Sequence, residues 1–230
     1  VCMPEPVLMC WSGGKDSSLA LQAVLQDPAL NVEALLTTVT EGYERISMHG
    51  VRRALLEQQA TSLNLPLEQV RIPIQASNAI YETAMRDALK RYQAHGVSRV
   101  VFGDLFLEDI RRYRERNLAG LGMQGLFPLW LKDTAALARA FIARGFRAIL
   151  VCVDPKQLDP KFCGREFDGS LLNDLPSSAD PCGENGEFHT FVYDGPIFQR
   201  PIPVAKGEIV EREGFWFCDL LPGSKPVMVG

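Results

Sequence analysis

No apolar run in these 230 residues approaches the ~20 needed to span a bilayer, although 47% of the chain is hydrophobic. The amino terminus, Val1-Cys2-Met3-Pro4-Glu5-Pro6, lacks the basic and apolar regions of a secretory signal, so a cytoplasmic location without a membrane partner is expected. A basic excess is missing as well: 24 Lys and Arg against 28 Asp and Glu leave a net charge of −4. Proteins that ride on a nucleic-acid backbone carry such an excess or a basic stripe, so nucleic acid is not an expected partner. The one dense basic segment, Arg111-Arg112-Tyr113-Arg114-Glu115-Arg116, suits a small anion better than a polymer. The six cysteines include no Cys-x-x-Cys pair and have no histidine at ligand spacing, which argues against zinc and iron–sulfur centres. Cys10 and Cys152 sit in apolar runs as small hydrophobes; Cys182, in Asp180-Pro181-Cys182-Gly183, is the one placed in a polar loop, where a thiol can react.

What the chain has is Trp11-Ser12-Gly13-Gly14-Lys15-Asp16-Ser17-Ser18. A strand-like run, Val7–Cys10, precedes it, and a helix-like run, Leu19–Leu25, follows. A small turn between strand and helix brings backbone N–H groups and the positive end of a helix dipole to bear on an anion. Gly13 and Gly14 permit close approach of the backbone; Ser12, Ser17 and Ser18 add hydroxyls, and Lys15 adds a point charge. The expected ligand is a phosphate chain. The commoner phosphate loop needs a glycine, four residues, then Gly-Lys-Ser/Thr, and Asp16 occupies the position after Lys15. No third glycine completes the dinucleotide fingerprint either. The loop instead resembles the Ser-Gly-Gly-x-Asp-Ser loop of the PP-loop ATP pyrophosphatases, which cleave ATP between its α and β phosphates.

Strand-like and helix-like runs alternate through the first two-thirds of the chain. Strands are expected at Val7–Cys10, Val32–Thr38, Gln69–Ile74, Val100–Gly103 and Gly125–Leu129, with helices at Ser17–Gln26, Gly50–Leu63, Ala79–His95 and Asp109–Gly120. That pattern predicts an α/β fold with a parallel sheet covered on both faces, whose ligands bind beyond the carboxyl ends of the strands. A last unit pairs a helix at Leu131–Arg144 with a strand at Ala148–Val153. After Asp154-Pro155 glycines and prolines cluster, and short β-like runs follow at Phe188–Val192, Ile202–Val210 and Phe215–Leu220. We expect an ATP-binding domain over 1–131 and a smaller α+β substrate domain over 132–230.

Three further segments carry candidate chemistry. Gly103-Asp104 closes the fourth predicted strand, and the helix after it places Arg111, Arg114 and Glu115 on one side, with Pro128-Leu129-Trp130 beyond. A solvated, salt-bridged helix would show the same spacing. In Gly183-Glu184-Asn185-Gly186-Glu187-Phe188-His189-Thr190, two carboxylates and a histidine lie among glycines. Such a set can bind Mg²⁺, hold an ammonium or act as a base; a hairpin bearing exposed charges is the plainer alternative. His49 precedes a helix on the same predicted edge, as a cap, a packed ring or a substrate contact.

Taken in order, Ser12–Ser17, Gly103-Asp104 with Arg111, Glu115 and Pro128–Trp130, and Gly183–Thr190 resemble the diphthine–ammonia ligase family of PP-loop enzymes over about residues 7–195. The resemblance implies a Rossmann-like ATP-binding domain of the HUP type followed by a smaller substrate domain. It implies adenylation of a carboxylate (diphthine on translation elongation factor 2 in the family) and displacement of AMP by ammonia. It further implies ATP and Mg²⁺ as cofactors, with Asp16 helping to hold the metal. ATP would contact Ser12, Gly13, Gly14, Lys15, Asp16, Ser17, Ser18, Gly103 and Asp104. Lys15, Asp16, Glu184 and Glu187 would be catalytic. His49, Arg111, Arg114, Glu115, Glu184, Asn185, Glu187 and His189 would meet a small-molecule or protein-borne carboxylate and ammonia. The chain departs from the family pattern at Asn185, at Phe188-His189 and upstream of His49, so the adenylation chemistry carries over more directly than the substrate. A homodimer is compatible with the sequence. Two rival readings are a tRNA-modifying PP-loop enzyme, which the acidic balance disfavours, and a nucleotide sensor, to which the paired glutamates are surplus.

Overall fold

The computed structural model describes residues 3–41, 45–46 and 50–223. Ten strands and six helices follow in chain order among these residues: β1(Glu5–Cys10), α1(Lys15–Leu25), β2(Leu30–Thr40), β3(Arg45–Ile46), α2(Arg53–Leu63), β4(Leu67–Ile72), α3(Asn78–Ala94), β5(Arg99–Val101), α4(Glu108–Ala119), β6(Gln124–Leu126), α5(Thr134–Ala143), β7(Arg147–Val153), α6(Gly169–Asp174), β8(Phe188–Asp194), β9(Val204–Arg212) and β10(Phe215–Pro222).

Val7, Leu8 and Met9 are wholly buried, as expected of a strand covered on both faces. β1 is therefore central. It pairs in parallel with β2 on one side and β5 on the other; β4 extends the sheet beyond β2 and β6 extends it beyond β5, also in parallel. The short β3 adds to β2 antiparallel. Chain order thus runs outward from β1 in one direction, then resumes with β5 in the other. The reversal opens a crevice beyond the carboxyl ends of β1 and β5, where ligands bind in sheets of this kind.

Side chains alternate across the sheet. Leu8, Ala34, Leu36, Val100 and Phe102 pack with Ala88 and Leu89 of α3 and Leu118 of α4. Val7, Met9, Leu35 and Val101 face the other way, onto Leu19 and Leu21 of α1 and Leu55 and Leu56 of α2. That second core runs on without a break into the smaller sheet, through Phe141, Leu150, Phe188, Phe191 and Leu220. The smaller sheet is antiparallel throughout, in the order β8-β7-β10-β9. The expected architecture, a Rossmann-like parallel sheet plus a smaller second unit, is the observed one.

Local differences have local causes. β4 stops at Ile72 rather than Ile74 because Pro73 cannot donate to a ladder. The six-residue α6 was hidden in a segment rich in turn residues, and the Asp168 carboxylate starts it by accepting the Leu171 N–H at 2.8 Å. His49 lies outside the described residues.

Candidate active site

A cleft of about 400 Å³ opens at the switch in strand order, lined by residues from both sheets. Its floor is the turn after β1. The Trp11 indole N–H donates to Gln59 Oε1 at 2.9 Å, and the Gln59 amide donates to the carbonyls of Gly13 (3.0 Å) and Val192 (2.6 Å). One buried glutamine on α2 thus ties the loop to β8. Gly13 has a φ of +77°, and a Cβ there would meet Gln59 Oε1 at 2.8 Å, so glycine is required on both counts. Gly14 caps α1 without any side-chain help, which leaves the helix's amino end at the cleft.

The hydroxyls are arranged less simply than the sequence suggests. Ser12 Oγ lies 3.1 Å from Ser17 Oγ on the cleft wall, but Ser17 and Ser18 both donate back to the Gly14 carbonyl, at 3.0 and 2.9 Å. Ser18 is wholly buried and does not reach the cleft. Its hydroxyl closes the first helical turn on the Gly14 carbonyl.

Lys15 is buried at the start of α1. Its side chain is 2% exposed, and its ammonium donates to both Asp16 carboxylate oxygens at 2.8 Å and to the Cys182 carbonyl. The rings of Phe167 and Phe188 lie 5.8 Å away. Burial opposes its charge, and Asp16, joined by Cys182 and Glu184, more than offsets this, so its pKa stands above the ordinary lysine value. Burial pushes the Asp16 carboxyl up, with Lys15 pulling in the opposite direction.

Gly103 sits just beyond β5, where a Cβ would come within 2.9 Å of the Asp16 and Ser17 backbone. Its lack of a side chain lets the end of β5 close on the first turn of α1. Asp104 follows it on the cleft and binds Arg114 through two hydrogen bonds of 2.6 and 3.0 Å; the guanidinium stacks on Phe102 at 4.4 Å. Arg111 and Glu115 do pair, at 2.8 Å, as their spacing implied. Yet the Arg111 guanidinium lies over Phe127 and Trp130, at 4.6 and 4.7 Å, and neither Arg111 nor Glu115 lines the cleft. Of the two arginines, the structure brings only Arg114 to the site.

The Gly-rich segment 180–190 forms the opposite wall. Asp180 Oδ2 accepts the N–H groups of Cys182 (3.1 Å) and Glu184 (3.0 Å), folding the loop on itself. Glu184 reaches across to the N–H groups of Leu105 (2.8 Å) and Phe106 (3.4 Å). Burial, aided by the charges of Asp16 and Asp104, pushes its carboxyl up to about 7 despite those hydrogen bonds. Glu187, three residues on, points away from the cleft and is 2% exposed. Its Oε1 accepts from the Asp180 N–H at 2.8 Å and from the Asn185 amide at 3.1 Å. The paired carboxylates read from the sequence thus separate: Glu184 faces the cleft, whereas Glu187, with Asn185, holds the loop. His189 lines the cleft from β8, and burial beside the Lys15 charge brings its pKa down to about 4, so it is neutral near pH 7. The Cys182 thiol donates to the Thr134 carbonyl at 3.3 Å and is pushed up to about 12 by burial, which removes it from thiolate chemistry.

Sequence reasoning missed several lining residues. Thr190 takes the Lys15 backbone N–H on its hydroxyl at 3.0 Å. Thr37 and Thr38 enter from the end of β2, and Tyr81 and Met85 from α3. Only the carboxyl-edge rule could have pointed to the two threonines; nothing in the α3 pattern marks Tyr81 and Met85.

Similarity to known proteins agrees with this geometry. The family model for the diphthamide synthase N-terminal domain matches residues 6–125, and that for the C-terminal domain matches residues 133–222. A diphthine–ammonia ligase of Schizosaccharomyces pombe is 28% identical over 232 residues, covering 93% of this chain and 38% of the relative. The Rattus norvegicus diphthine–ammonia ligase is 29% identical over 177 residues, 74% of this chain and 66% of the relative. That of Danio rerio is 36% identical over 110 residues, 45% of this chain and 43% of the relative. The chain thus spans less than two thirds of the length of these relatives. The N-terminal match alone takes in more than half of the chain, and with the loop, the cleft and the second lobe in their expected order, the chain belongs to the diphthamide synthase family.

Proposed function

We propose that this chain is an AMP-forming amide ligase that acts as its diphthine–ammonia ligase relatives are named to act. A substrate carboxylate attacks the α-phosphorus of ATP, the bond to the bridging oxygen breaks, and pyrophosphate leaves. Ammonia then attacks the acyl carbon and AMP departs with the carboxylate oxygen. The loop at Ser12–Ser17 and the amino end of α1 receive the β and γ phosphates through backbone N–H groups. Glu184 takes the proton that the ammonium nitrogen must lose, and a carboxyl near 7 is matched to that task at neutral pH. Asp104, Arg114 and neutral His189 line the space left for the substrate.

Mg²⁺ arriving with ATP would be held by one or two carboxylates, with the remaining ligands from phosphate and water. Asp16 is on the cleft wall with 27% of its side chain exposed, so it is the residue that would hold the ion. The metal would supply neutralisation of phosphate charge.

One observation supports this reading above the rest: Glu184 and the Ser12–Ser17 loop line the same cleft at the sheet's switch point. The test is product analysis with Mg-ATP, ammonium and a panel of carboxylates that includes diphthine-bearing elongation factor. AMP and pyrophosphate in equal amounts, formed only with one carboxylate, are expected. ADP and phosphate would overturn the assignment.

A further inference from the structure

We infer that Lys15 is a positioning residue, aiming Asp16 and pinning the ATP loop to the segment that carries Glu184, and that it is not a ligand of the phosphates. The inference rests on reading the cleft as an ATP site. Both ends of this one residue hold the opposite wall: its backbone N–H binds Thr190 Oγ1 at 3.0 Å, and its ammonium binds the Cys182 carbonyl. The same ammonium donates to both oxygens of Asp16 at 2.8 Å. A lysine has three N–H donors and no more, so swinging it toward a phosphate would strand a buried carbonyl and part a buried ion pair. Removing one partner from such a pair is strongly destabilising. The side chain, 2% exposed between Phe167 and Phe188, is held where it stands.

Two consequences follow for the reaction. Asp16 faces the incoming phosphates already neutralised from behind, so that its carboxylate can serve a cation without repelling ATP outright. Cys182 lies two residues before Glu184, and the Lys15 contact therefore fixes where the base stands against the ATP loop.

The experiment is a double-mutant cycle on the full chain with Lys15→Met, Asp16→Asn and both together, reading ATP affinity by calorimetry and kcat for AMP release. Lys15→Met alone is expected to lower kcat about 10²-fold, the scale of an ~1 Å misplacement. In the Asp16→Asn background the same change should alter ATP affinity by no more than about twofold, the scatter of independent sites. A loss of tenfold or more in ATP affinity, equal in both backgrounds, would make Lys15 a phosphate ligand and overturn the inference. Acylation of wild-type lysines, followed by mass spectrometry, reads the geometry without any variant. Lys15 should react far more slowly than exposed Lys90 and Lys156, with and without Mg-ATP. Labelling at their rate, blocked by Mg-ATP, would overturn the inference. Wild-type protein that binds no ATP would instead remove the ATP-site reading beneath it, an outcome the calorimetry separates from the others.

Discussion

The two walls of the cleft, residues 12–18 and residues 180–187, are built on different plans. The first is a backbone device: glycines at 13 and 14 let it turn tightly, the hydroxyls of Ser17 and Ser18 fold back on the Gly14 carbonyl, and its one cation and one anion neutralise each other. The second is a carboxylate device. Asp180, Glu184 and Glu187 each accept backbone N–H groups: Asp180 and Glu187 from within the loop itself, Glu184 from the stretch after β5. A backbone cradle suits a polyanion, because it offers donors without committing a full charge. A carboxylate wall suits proton transfer, because burial can tune it. The difference teaches where each wall should fail.

The largest effect should come from the tuned carboxylate. Glu184→Gln should lower kcat for amide formation by about 10²–10⁴-fold. Wild-type kcat/KM should rise with pH through about 7, as Glu184 ionises, and the variant should lose that limb. The sign for stability is opposite. A carboxyl raised from 4.5 to about 7 contributes stability that is full below 4.5 and is lost as pH rises through 7. Melting curves at pH 5 and pH 8 should therefore converge in Glu184→Gln relative to wild type. An unchanged pH–rate profile in the variant would take the proton away from Glu184.

Gly103→Ala challenges the backbone device. Its Cβ would meet backbone atoms 2.9 Å away, and backbone cannot rotate aside as a side chain can. A cost of about 1–3 kcal/mol in urea denaturation is expected, as for overpacked sites, with weaker ATP binding as the loop shifts. A variant as stable as wild type that binds ATP equally well would show that the end of β5 and the first turn of α1 do not need their close approach.

The smallest effect is expected at Glu187→Gln. Oε1 keeps its two donors, and Oε2 has no hydrogen-bond partner among the described residues. Stability should shift by no more than about 1 kcal/mol, with little change in kcat. A fall in kcat as deep as that of Glu184→Gln would restore Glu187 as a base and erase the contrast between the two carboxylates.

How much of this was legible beforehand depends on the range of the cause. The strand–loop–helix at 7–25 could be read directly, because glycine freedom, apolar runs and helix spacing all act within a few residues. The Arg111–Glu115 pair could be read for the same reason, but its direction could not: Phe127 and Trp130 hold it off the cleft, and they arrive from beyond the end of α4. Glu184 and Glu187 look equivalent in the chain, and only Leu105, Phe106, Asp180 and Asn185 tell them apart. Gln59, which joins Trp11, Gly13 and Val192, carries no local signal at all.

By itself, then, the sequence determined the succession of elements, the parallel sheet and the edge on which an anion loop must sit, since periodicity, propensity and glycine placement are local properties of the backbone. Tertiary structure decided which charges meet the cleft and which are spent inside the protein. Burial and partner geometry set the ionisation of Glu184 and His189 and the direction of Lys15. Those depend on residues brought from 78 to 175 positions away, whose approach only a packed core can hold in place.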